Sequence, residues 1–387
     1  MRASTPMPMA IARGRCSALT SICLTTRPSA SCLMRPRRFL TGGGADRMRI
    51  SVIVPCRNEA SHIEAFLDSV LAQQLPAIHD VLEVVVADGM SNDGTRALID
   101  KRANADGRLM VVDNPASITS TALNLAAVRA SGEIVVRMDV HTVYSPDYVR
   151  ECVRALADTG ATCVGGAWLP VGQGWPQQAI ALAFSSRFGS GGAASRRIDF
   201  SGPVDTVYLG AWRREDLLRL GGFDESLVRN QDDELNLRIV RSGGVVWQSA
   251  SIRSTYTPRA SFVALFRQFY QYGYWKVPVI RKHRLPASPR HLAPFVFVAG
   301  LAGLTALTPW STLARAALAT VLGVYVLTAL FSGAALARSP HRLRDAAGIA
   351  AAIACMHLGY GLGFGHALVE LLLLRRMPGA VATRLTR

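Results

Sequence analysis

Two short groups of residues carry side chains suited to catalysis: a pair of an aspartate and a histidine, and a run of three acids. Asp139 and His141 stand two positions apart after an apolar run, so the two-residue period of a strand puts them on the same side. A carboxylate and an imidazole in this arrangement can share Mg²⁺ or Mn²⁺, which would neutralise charge on a diphosphate leaving group. Asp232, Asp233 and Glu234 form the second group, and one of these carboxylates could deprotonate a hydroxyl. Because acids also stabilise the positive end of a helix, a capping role explains the second group equally well.

Two polar loops suit the binding of a nucleotide. The first spans residues 55–59, PCRNE, and precedes a helix whose positive end favours a negative ligand. The second spans residues 88–95, DGMSNDGT, where the glycines permit a tight turn and Asp88 can accept a hydrogen bond from a base or ribose. Each loop also fits an ordinary turn, with Ser61 as the helix cap in the first.

The elements that must position these residues alternate along the chain. Apolar, β-branched runs near 50–55, 81–86, 109–112 and 133–138 predict strands, and helical spacing of apolar residues between them predicts helices. Strands that alternate with helices form a mostly parallel sheet covered on both faces, so the predicted fold class is α/β. Ligands bind such sheets at the carboxyl ends of the strands, and the polar residues are expected along that edge.

The order of these motifs resembles glycosyltransferase family 2, whose members use nucleotide-diphospho-sugars, invert the anomeric carbon and share the Rossmann-like GT-A fold. The resemblance covers residues 49–276. SVIVPCRNE at 51–59 looks like the family's opening strand and nucleotide loop, and ADGMSNDGT at 87–95 looks like its D-D-G-S-x-D-G-T segment. RMDVH at 137–141 occupies the D-x-D position and NQDDE at 230–234 aligns with the E-D segment. The set is most similar to bacterial succinoglycan-biosynthesis-type members.

The resemblance implies a role for each matched residue. Asp232 is implied as the catalytic base, and Asp139 with His141 as the ligands of Mg²⁺ or Mn²⁺. The residues implied in binding the nucleotide-sugar are Pro55, Arg57, Asn58, Glu59, Asp88, Ser91 and Asp139. Those on the acceptor or diphosphate side are Asp233, Glu234, Tyr272, Trp275 and Lys276.

Three positions depart from the family pattern. Leu123 replaces a basic residue, His141 replaces the second acid of D-x-D, and Gln231 replaces a glutamate. These departures leave open a catalytically inactive, transferase-like membrane binding protein. A polyprenyl-phosphate glycosyltransferase is the other alternative, because a phosphate acceptor needs little base catalysis.

The composition shifts toward apolar residues after residue 285. Apolar runs near 292–307, 313–337 and 346–374 predict two or three transmembrane segments. Arginines before the first run and at 338–344 predict that both stretches lie in the cytoplasm. A third full span would put the final arginines, which include Arg384 and Arg387, outside, unless the glycine-rich stretch 359–365 lets the last segment re-enter. The aromatic and basic stretch 266–276 is expected at the bilayer surface.

The overall composition excludes an ordinary soluble protein. Half of the 387 residues are hydrophobic, 18% are charged and the mean hydropathy is +0.21. The formal net charge of +16 suits anionic lipid or phosphorylated ligands. No nucleic-acid module is recognised, and many of the positive charges lie in the first 47 residues or beside the apolar runs, so no nucleic-acid partner is predicted.

The sequence divides into three predicted regions. Residues 1–47, with eight arginines and no acid before Asp46, predict a disordered leader or a start assigned too far upstream. Residues 48–285 are the expected GT-A domain, and residues 286–387 are the expected membrane region. The seven cysteines contain no C-x-x-C pair and are expected to be isolated thiols.

The resulting functional expectation is an inverting glycosyltransferase. It would move a sugar from a nucleotide-diphospho-sugar, with a UDP-sugar expected, to a hydroxyl of a lipid-linked or growing saccharide in exopolysaccharide or cell-surface glycan synthesis. The expected location is the bacterial inner membrane, with several spans and the catalytic domain in the cytoplasm.

Overall fold

The computed structural model describes residues 47–337, 341–376, 378–379 and 382. The predicted leader, apart from Arg47, lies outside the described residues. So do residues 338–340 of the basic loop, and Arg384 and Arg387.

Eleven strands form two sheets within the described part of the chain. They are β1 Arg49–Cys56, β2 Val81–Asp88, β3 Leu109–Asp113, β4 Ile134–Arg137, β5 Thr142–Tyr144, β6 Cys163–Gly166, β7 Trp168–Pro170, β8 Gly202–Pro203, β9 Tyr208–Arg213, β10 Val246–Gln248 and β11 Ser254–Tyr256. The larger sheet has the order β3-β2-β1-β4-β9-β6-β10-β8, and the smaller sheet has the order β5-β11-β7.

Helices cover the larger sheet and continue into the apolar part of the chain. They are α1 Ile63–Leu71, α2 Thr95–Ala105, α3 Thr119–Arg129, α4 Tyr148–Thr159, α5 Gln177–Ser185, α6 Arg187–Ser190, α7 Arg214–Arg219, α8 Gln231–Arg241, α9 Phe262–His283, α10 Ala293–Leu307, α11 Thr312–Leu336 and α12 Arg342–Ala367. Short 3₁₀ turns lie at Ala194–Arg196 and Pro289–His291, and a π-helical turn at Leu368–Leu373 follows α12. The predicted boundary after residue 285 falls between α9 and α10, and the domain division stays a prediction.

The first strands confirm the predicted α/β fold class. β3, β2, β1 and β4 pair in parallel, in register, so that Cys56 lies beside Asp88 and Asp88 beside Asp113. β9 is antiparallel between β4 and β6. The carboxyl ends of β1, β2, β3 and β4 therefore lie along one edge, and the loops that follow them meet there.

The core lies on both faces of this sheet because the central strands are apolar on both sides. Val52 and Val54 face the layer formed by α1 and α4, whereas Ile53 faces the layer formed by α3 and α8. All three side chains are fully buried. Burial of this apolar surface stabilises the sheet, and the stable sheet holds the loops at its edge in position.

Three described helices are long and apolar enough to cross a membrane. They span Pro289–Leu307, Thr312–Leu336 and Arg342–Leu373, in agreement with the predicted runs. α10 has no buried residue, and large side chains of α11 such as Phe331 are exposed. Apolar surface of this size on two adjacent helices is typical of helices that cross a membrane.

Glycines of α12 permit a close crossing with α9. An added Cβ at Gly363 would stand 1.9 Å from the Tyr270 carbonyl oxygen, and one at Gly359 would stand 2.7 Å from that of Phe266. α12 runs without interruption through this stretch, and the number and topology of the spans stay a prediction. The glycines bring two backbones together, as small residues do between membrane helices.

This crossing predicts opposite effects of two Gly→Ala substitutions. Gly363→Ala forces the α9 backbone away and should lower stability by about 1–3 kcal/mol, the usual cost of overpacking. Gly323→Ala in α11, where nothing lies within 4 Å of the added Cβ, should leave stability unchanged or raise it. Thermal unfolding of the detergent-solubilised protein measures both, and equal effects would contradict the crossing.

Candidate active site

The turns that follow β1, β2 and β3 each contain a backbone conformation that residues other than glycine seldom adopt. Asn58, Met90 and Ser117 all have positive φ, at 54°, 58° and 58°. The first two turns are joined by hydrogen bonds, because the Asn58 amide donates to Ser91 Oγ (2.8 Å) and the Asn92 amide donates to Asn58 Oδ1 (2.9 Å). Backbone strain of this kind persists where the surroundings enforce it, and it is common at ligand sites.

Asp88 organises the second turn from inside the protein. Its carboxylate is almost fully buried and accepts hydrogen bonds from the Ser91 hydroxyl (2.5 Å) and amide (3.1 Å). Arg57 extends from the first turn and donates to the Ser117 carbonyl (3.2 Å). Pro55 pairs with Ala87 one position before Cys56 pairs with Asp88. The structure thus brings together the loop residues predicted for the nucleotide-sugar.

Glu59 lies at the centre of a group of possible metal ligands. Its carboxylate oxygen is 2.8 Å from His141 Nε2, and its other oxygen is 3.9 Å from His62 Nδ1. One ligand atom from each of these three residues lies within 4.8 Å of the other two. The structure therefore groups His141 with Glu59 and His62, and Asp139 is not a member of that group.

His62 was absent from the predicted site. Glu59 and His62 are separated by three positions in the turn that enters α1, and this spacing was the available signal. Nothing local, however, indicated that His141, from the far side of β1, would meet them. The contact depends on β1 and β4 being neighbours in the sheet.

Arg137 joins the two acidic groups that were expected to carry the chemistry. At the end of β4 it donates to both Asp139 oxygens, from Nε and Nη2 at 2.8 Å each, and from Nη1 to Asp232. Arg137 is 4% exposed, whereas the Asp139 and Asp232 side chains are 28% and 27% exposed. The two carboxylates are partly exposed at this edge of the sheet, which is called the cleft below, and the guanidinium is buried behind them. A charged residue at the end of an apolar strand was the signal that could have identified Arg137.

Asp232 has a proton affinity suited to an acid–base role near neutral pH. Burial raises its pKa to about 6, the charges of Asp139 and Asp233 act in the same direction, and Arg137 opposes them. Such a carboxylate is ionised at neutral pH and still able to take a proton. The pKa of Arg137 is itself raised, because the attraction of Asp139 and Asp232 outweighs the cost of its burial.

Asp233 differs from its neighbour because it has its own cation. Lys276 Nζ lies 2.5 Å from its carboxylate, and the Thr206 hydroxyl donates to it at 3.1 Å. Burial opposes ionisation of Asp233, but Lys276 outweighs that cost and holds the pKa at about 2. Adjacent carboxylates are thus driven apart in pKa, a pattern typical of sites with divided acid–base roles.

Other residues expected on the acceptor side lie in the interior. Glu234 is fully buried and pairs with Arg238, Lys282 and His283. Trp275 is 3% exposed, and its indole N–H donates to the Ala382 carbonyl (2.9 Å). Both side chains therefore contribute to the packing of α8 and α9. Glu234 is enclosed by its ion pairs, and Trp275 is buried among apolar residues.

Tyr272 connects α9 to the start of α8. Its carbonyl accepts a hydrogen bond from Asn230 Nδ2 (2.9 Å), and Asn230 has a positive φ of 61° immediately before the helix. Gln268 donates to the Tyr272 hydroxyl at 2.9 Å. The Asn230 bond fixes the first turn of α8, which carries Asp232 and Asp233, and the Gln268 bond holds the Tyr272 side chain within α9.

Leu123, at the position of the missing basic residue, is fully buried in α3.

The chain is similar to known glycosyltransferases in sequence and in structure. Residues 51–220 match the family described as glycosyl transferase family 2. "Succinoglycan biosynthesis protein ExoA" of Rhizobium meliloti is 33% identical over 325 residues, which are 82% of this chain and 94% of that protein. The solved structure of "Mannosyltransferase PcManGT from Pyrobaculum calidifontis in complex with GDP-Man and Mn2+" has a TM-score of 0.53 at 26% identity, and the match covers 81% of this chain and 88% of that one.

A more distant relative acts on a dolichyl-linked sugar by its name. "Dolichyl N-acetyl-alpha-D-glucosaminyl phosphate 3-beta-D-2,3-diacetamido-2,3-dideoxy-beta-D-glucuronosyltransferase" of Methanococcus voltae is 23% identical over 246 residues, which are 60% of this chain and 74% of that protein. Taken together, the similarities show that the chain belongs to glycosyl transferase family 2 and is a glycosyltransferase. The family and the GT-A fold expected from the motifs are confirmed.

The Arg137 contacts predict a pH-dependent loss of stability when the arginine is removed. In Arg137→Met the carboxylate of Asp232 loses its cation, so its folded-state pKa, already raised by burial, should rise further above that of the unfolded chain. Folding then favours the protonated carboxylate, and stability should fall as pH rises. We expect a loss of about 3 kcal/mol at pH 8 and a smaller loss at pH 5.

Urea unfolding at the two pH values measures this difference. Arg154→Met, at an exposed position of α4, is the matched control and should change stability little. Adding Asp232→Asn to Arg137→Met should recover part of the loss at pH 8. A loss independent of pH, or no recovery, would show that Arg137 contributes by packing alone.

Proposed function

We propose that this glycosyltransferase moves a sugar, with inversion, from a nucleotide-diphospho-sugar to a hydroxyl of a lipid-linked saccharide, in exopolysaccharide synthesis. The observation that carries the proposal is the pair of adjacent acids, Asp232 with a pKa near 6 and Asp233 with a pKa near 2, at the edge of the sheet. The name of the Rhizobium relative supports the pathway, and the name of the Methanococcus relative supports a lipid-linked acceptor.

The turns after β1 and β2 would hold the donor. Asp88 and Ser91 form a rigid acceptor and donor pair for the base or ribose, and Arg57 supplies positive charge beside them. Asn58 keeps the two turns together through its side chain and its amide. Because their backbones are already fixed, little conformational entropy is lost when the donor binds.

Glu59, His62 and His141 would hold a divalent cation. A carboxylate with two imidazoles is a set that suits Mn²⁺ better than Mg²⁺, which prefers oxygen ligands. The mannosyltransferase of similar structure was solved with Mn²⁺, which supports the same choice. When bound, the ion would supply positive charge to the diphosphate as it leaves.

Asp232 would act as the general base. Its carboxylate takes the proton of the acceptor hydroxyl, the oxygen forms a bond to the anomeric carbon, and the bond from that carbon to the diphosphate oxygen breaks. Attack opposite the leaving group inverts the configuration in one displacement. Arg137 is a positioning residue, because it donates hydrogen bonds to both the Asp232 and the Asp139 carboxylates while being only 4% exposed itself.

The membrane helices would keep the enzyme beside its acceptor. Several spans, with the sheet on the cytoplasmic side, put the site where a sugar on a lipid carrier is presented. Confinement to one surface raises the effective concentration of such an acceptor. The arginines of the described basic segments support this orientation.

Loss of the Asp232 carboxylate should abolish transfer but not donor binding. Asp232→Asn keeps the size of the side chain and removes the base, so turnover should fall by about 10²–10⁴-fold. The measurement is release of nucleoside diphosphate from a panel of UDP- and GDP-sugars by membranes containing the protein, with a lipid extract as acceptor. Donor affinity should change little.

Asp158→Asn, at an exposed position of α4, is the control for this variant. In the unchanged protein the rate should fall as pH drops below about 6, where Asp232 becomes protonated. Near-normal turnover of Asp232→Asn would contradict the base assignment and favour an acceptor, such as a lipid phosphate, that needs no base.

The metal assignment predicts which substitutions weaken Mn²⁺ binding. Glu59→Gln and His62→Ala should each weaken Mn²⁺ at least about tenfold in a titration followed by electron paramagnetic resonance. His79→Ala, also an exposed histidine, should leave the affinity unchanged. If Asp139→Asn removes Mn²⁺ while His62→Ala does not, the ion is held by Asp139 and His141 instead.

A further inference from the structure

A cavity of about 360 Å³ lies beside the first turn of α10 and the middle of α11 and α12. α6, α9, α10, α11 and α12 all contribute to its walls. Most of the lining is apolar or aromatic and includes Phe188, Phe269, Phe297, Tyr325 and Met356. Phe297 stacks on Tyr325, with ring centroids 4.6 Å apart. The volume is within the range of ligand pockets, and the lining suits a hydrocarbon chain.

One end of the same cavity carries cationic and polar side chains. The cations Arg196 and Arg290 line it together with the imidazole of His291. Arg290 pairs with Asp205 (2.5 Å), whereas the Arg196 guanidinium lies over the Trp168 ring at 4.4 Å. Within the described part of the chain, no carboxylate lies within ion-pair distance of Arg196. A guanidinium held flat by an aromatic ring keeps its N–H donors available for an anion.

Two buried polar atoms of the cavity lining lack hydrogen-bond partners among the described residues. They are His291 Nδ1 and the Tyr360 hydroxyl. A buried polar group without a partner costs about 1–3 kcal/mol, so its presence in a pocket indicates that a ligand or water satisfies it. Both atoms are side-chain groups that can bind phosphate oxygens when protonated.

The cationic end is joined to the acids of α8 by a short series of contacts. Arg290 pairs with Asp205, and the next residue, Thr206, donates a hydrogen bond to Asp233 at 3.1 Å. Asp233 directly follows Asp232 in the first turn of α8. A ligand with its anionic group at this end would therefore extend toward Asp232 on one side and into the apolar cavity on the other.

We propose that this cavity binds the lipid end of the acceptor, with a phosphate or diphosphate at Arg196, Arg290, His291 and Tyr360 and the start of an apolar chain against the aromatic lining. This inference rests on the proposed function, because it assigns a place to the lipid-linked acceptor. A free anion would leave the aromatic surface unused, and a neutral lipid would leave Arg196 and both polar atoms without an anionic or hydrogen-bonding partner. A ligand with both an anionic group and a hydrocarbon chain would contact the polar end and the apolar lining together.

Binding of farnesyl diphosphate to the full chain in phosphatidylcholine nanodiscs tests the proposal. The diphosphate with its chain should bind at least about tenfold more tightly than farnesol or inorganic diphosphate. Arg196→Gln should weaken this binding about tenfold or more, since it removes a charged hydrogen-bond donor. Arg154→Gln, an exposed arginine on α4, should have no effect.

A second pair of variants tests the apolar part without changing charge. Ala293→Trp fills the cavity from α10, whereas Ala306→Trp puts the same side chain on the same helix away from the cavity lining. Only Ala293→Trp should weaken farnesyl diphosphate. Equal binding of inorganic diphosphate or of farnesol, or equal effects of the two tryptophans, would overturn the proposal.

Failure of this inference can be told apart from failure of the proposed function. Asp232→Asn should bind farnesyl diphosphate normally, because the cavity does not include Asp232. Transfer to lipid acceptors that is lost in Asp232→Asn but unchanged in Arg196→Gln and Ala293→Trp would refute the cavity and keep the function. Farnesyl diphosphate binding that depends on Arg196, without transfer from any nucleotide sugar, would keep the cavity and refute the function.

Discussion

The site depends on a single buried guanidinium. Arg137, at the end of β4, holds Asp139 two residues ahead of it and Asp232 from α8, which is 95 residues away in the chain. Two carboxylates that face one cleft repel each other, and a buried cation is what allows both to remain near the floor of the cleft. The position of α8 against the sheet follows from this contact. Burial raises the pKa of Asp232 to about 6, and Arg137 limits that rise.

The membrane part of the chain is tied to the same site through α9. Asn230, at the start of α8, bonds to the backbone of Tyr272 in α9, and Lys276 of α9 pairs with Asp233. The glycines of α12 allow α9 to lie directly against a helix long enough to cross the membrane. The position of α9 against α12 therefore bears on the acids, because α9 contacts α8 through the Asn230 side chain and through the Lys276–Asp233 ion pair.

Neighbouring acidic residues in this structure have different ion-pair partners. Asp232, Asp233 and Glu234 are consecutive, yet the first pairs with Arg137, the second with Lys276 and the third with Arg238 and Lys282. Successive residues of a helix point in directions about 100° apart, in keeping with the 3.6-residue turn, so one acidic run serves three different surroundings. Its capping of α8 and its placement of carboxylates in the cleft are compatible, and the two interpretations of the motif were not exclusive.

The sequence by itself determined the elements and the edge at which the polar loops meet. Apolar runs fix β1 to β4, the turns after β1 and β2 carry glycine and polar residues, and the long apolar runs give α10 to α12, because each of these features depends on local spacing. The positions of Asp88 at the end of a strand and of Asp232 at the start of a helix could also be predicted from the sequence. Contacts between residues that are distant in the chain could not be predicted from the sequence. The meeting of His141 with Glu59 and His62, the bridging by Arg137 and the burial of Trp275 and Glu234 were decided by the tertiary structure, because they depend on which strands and helices are neighbours and on how close two backbones can approach.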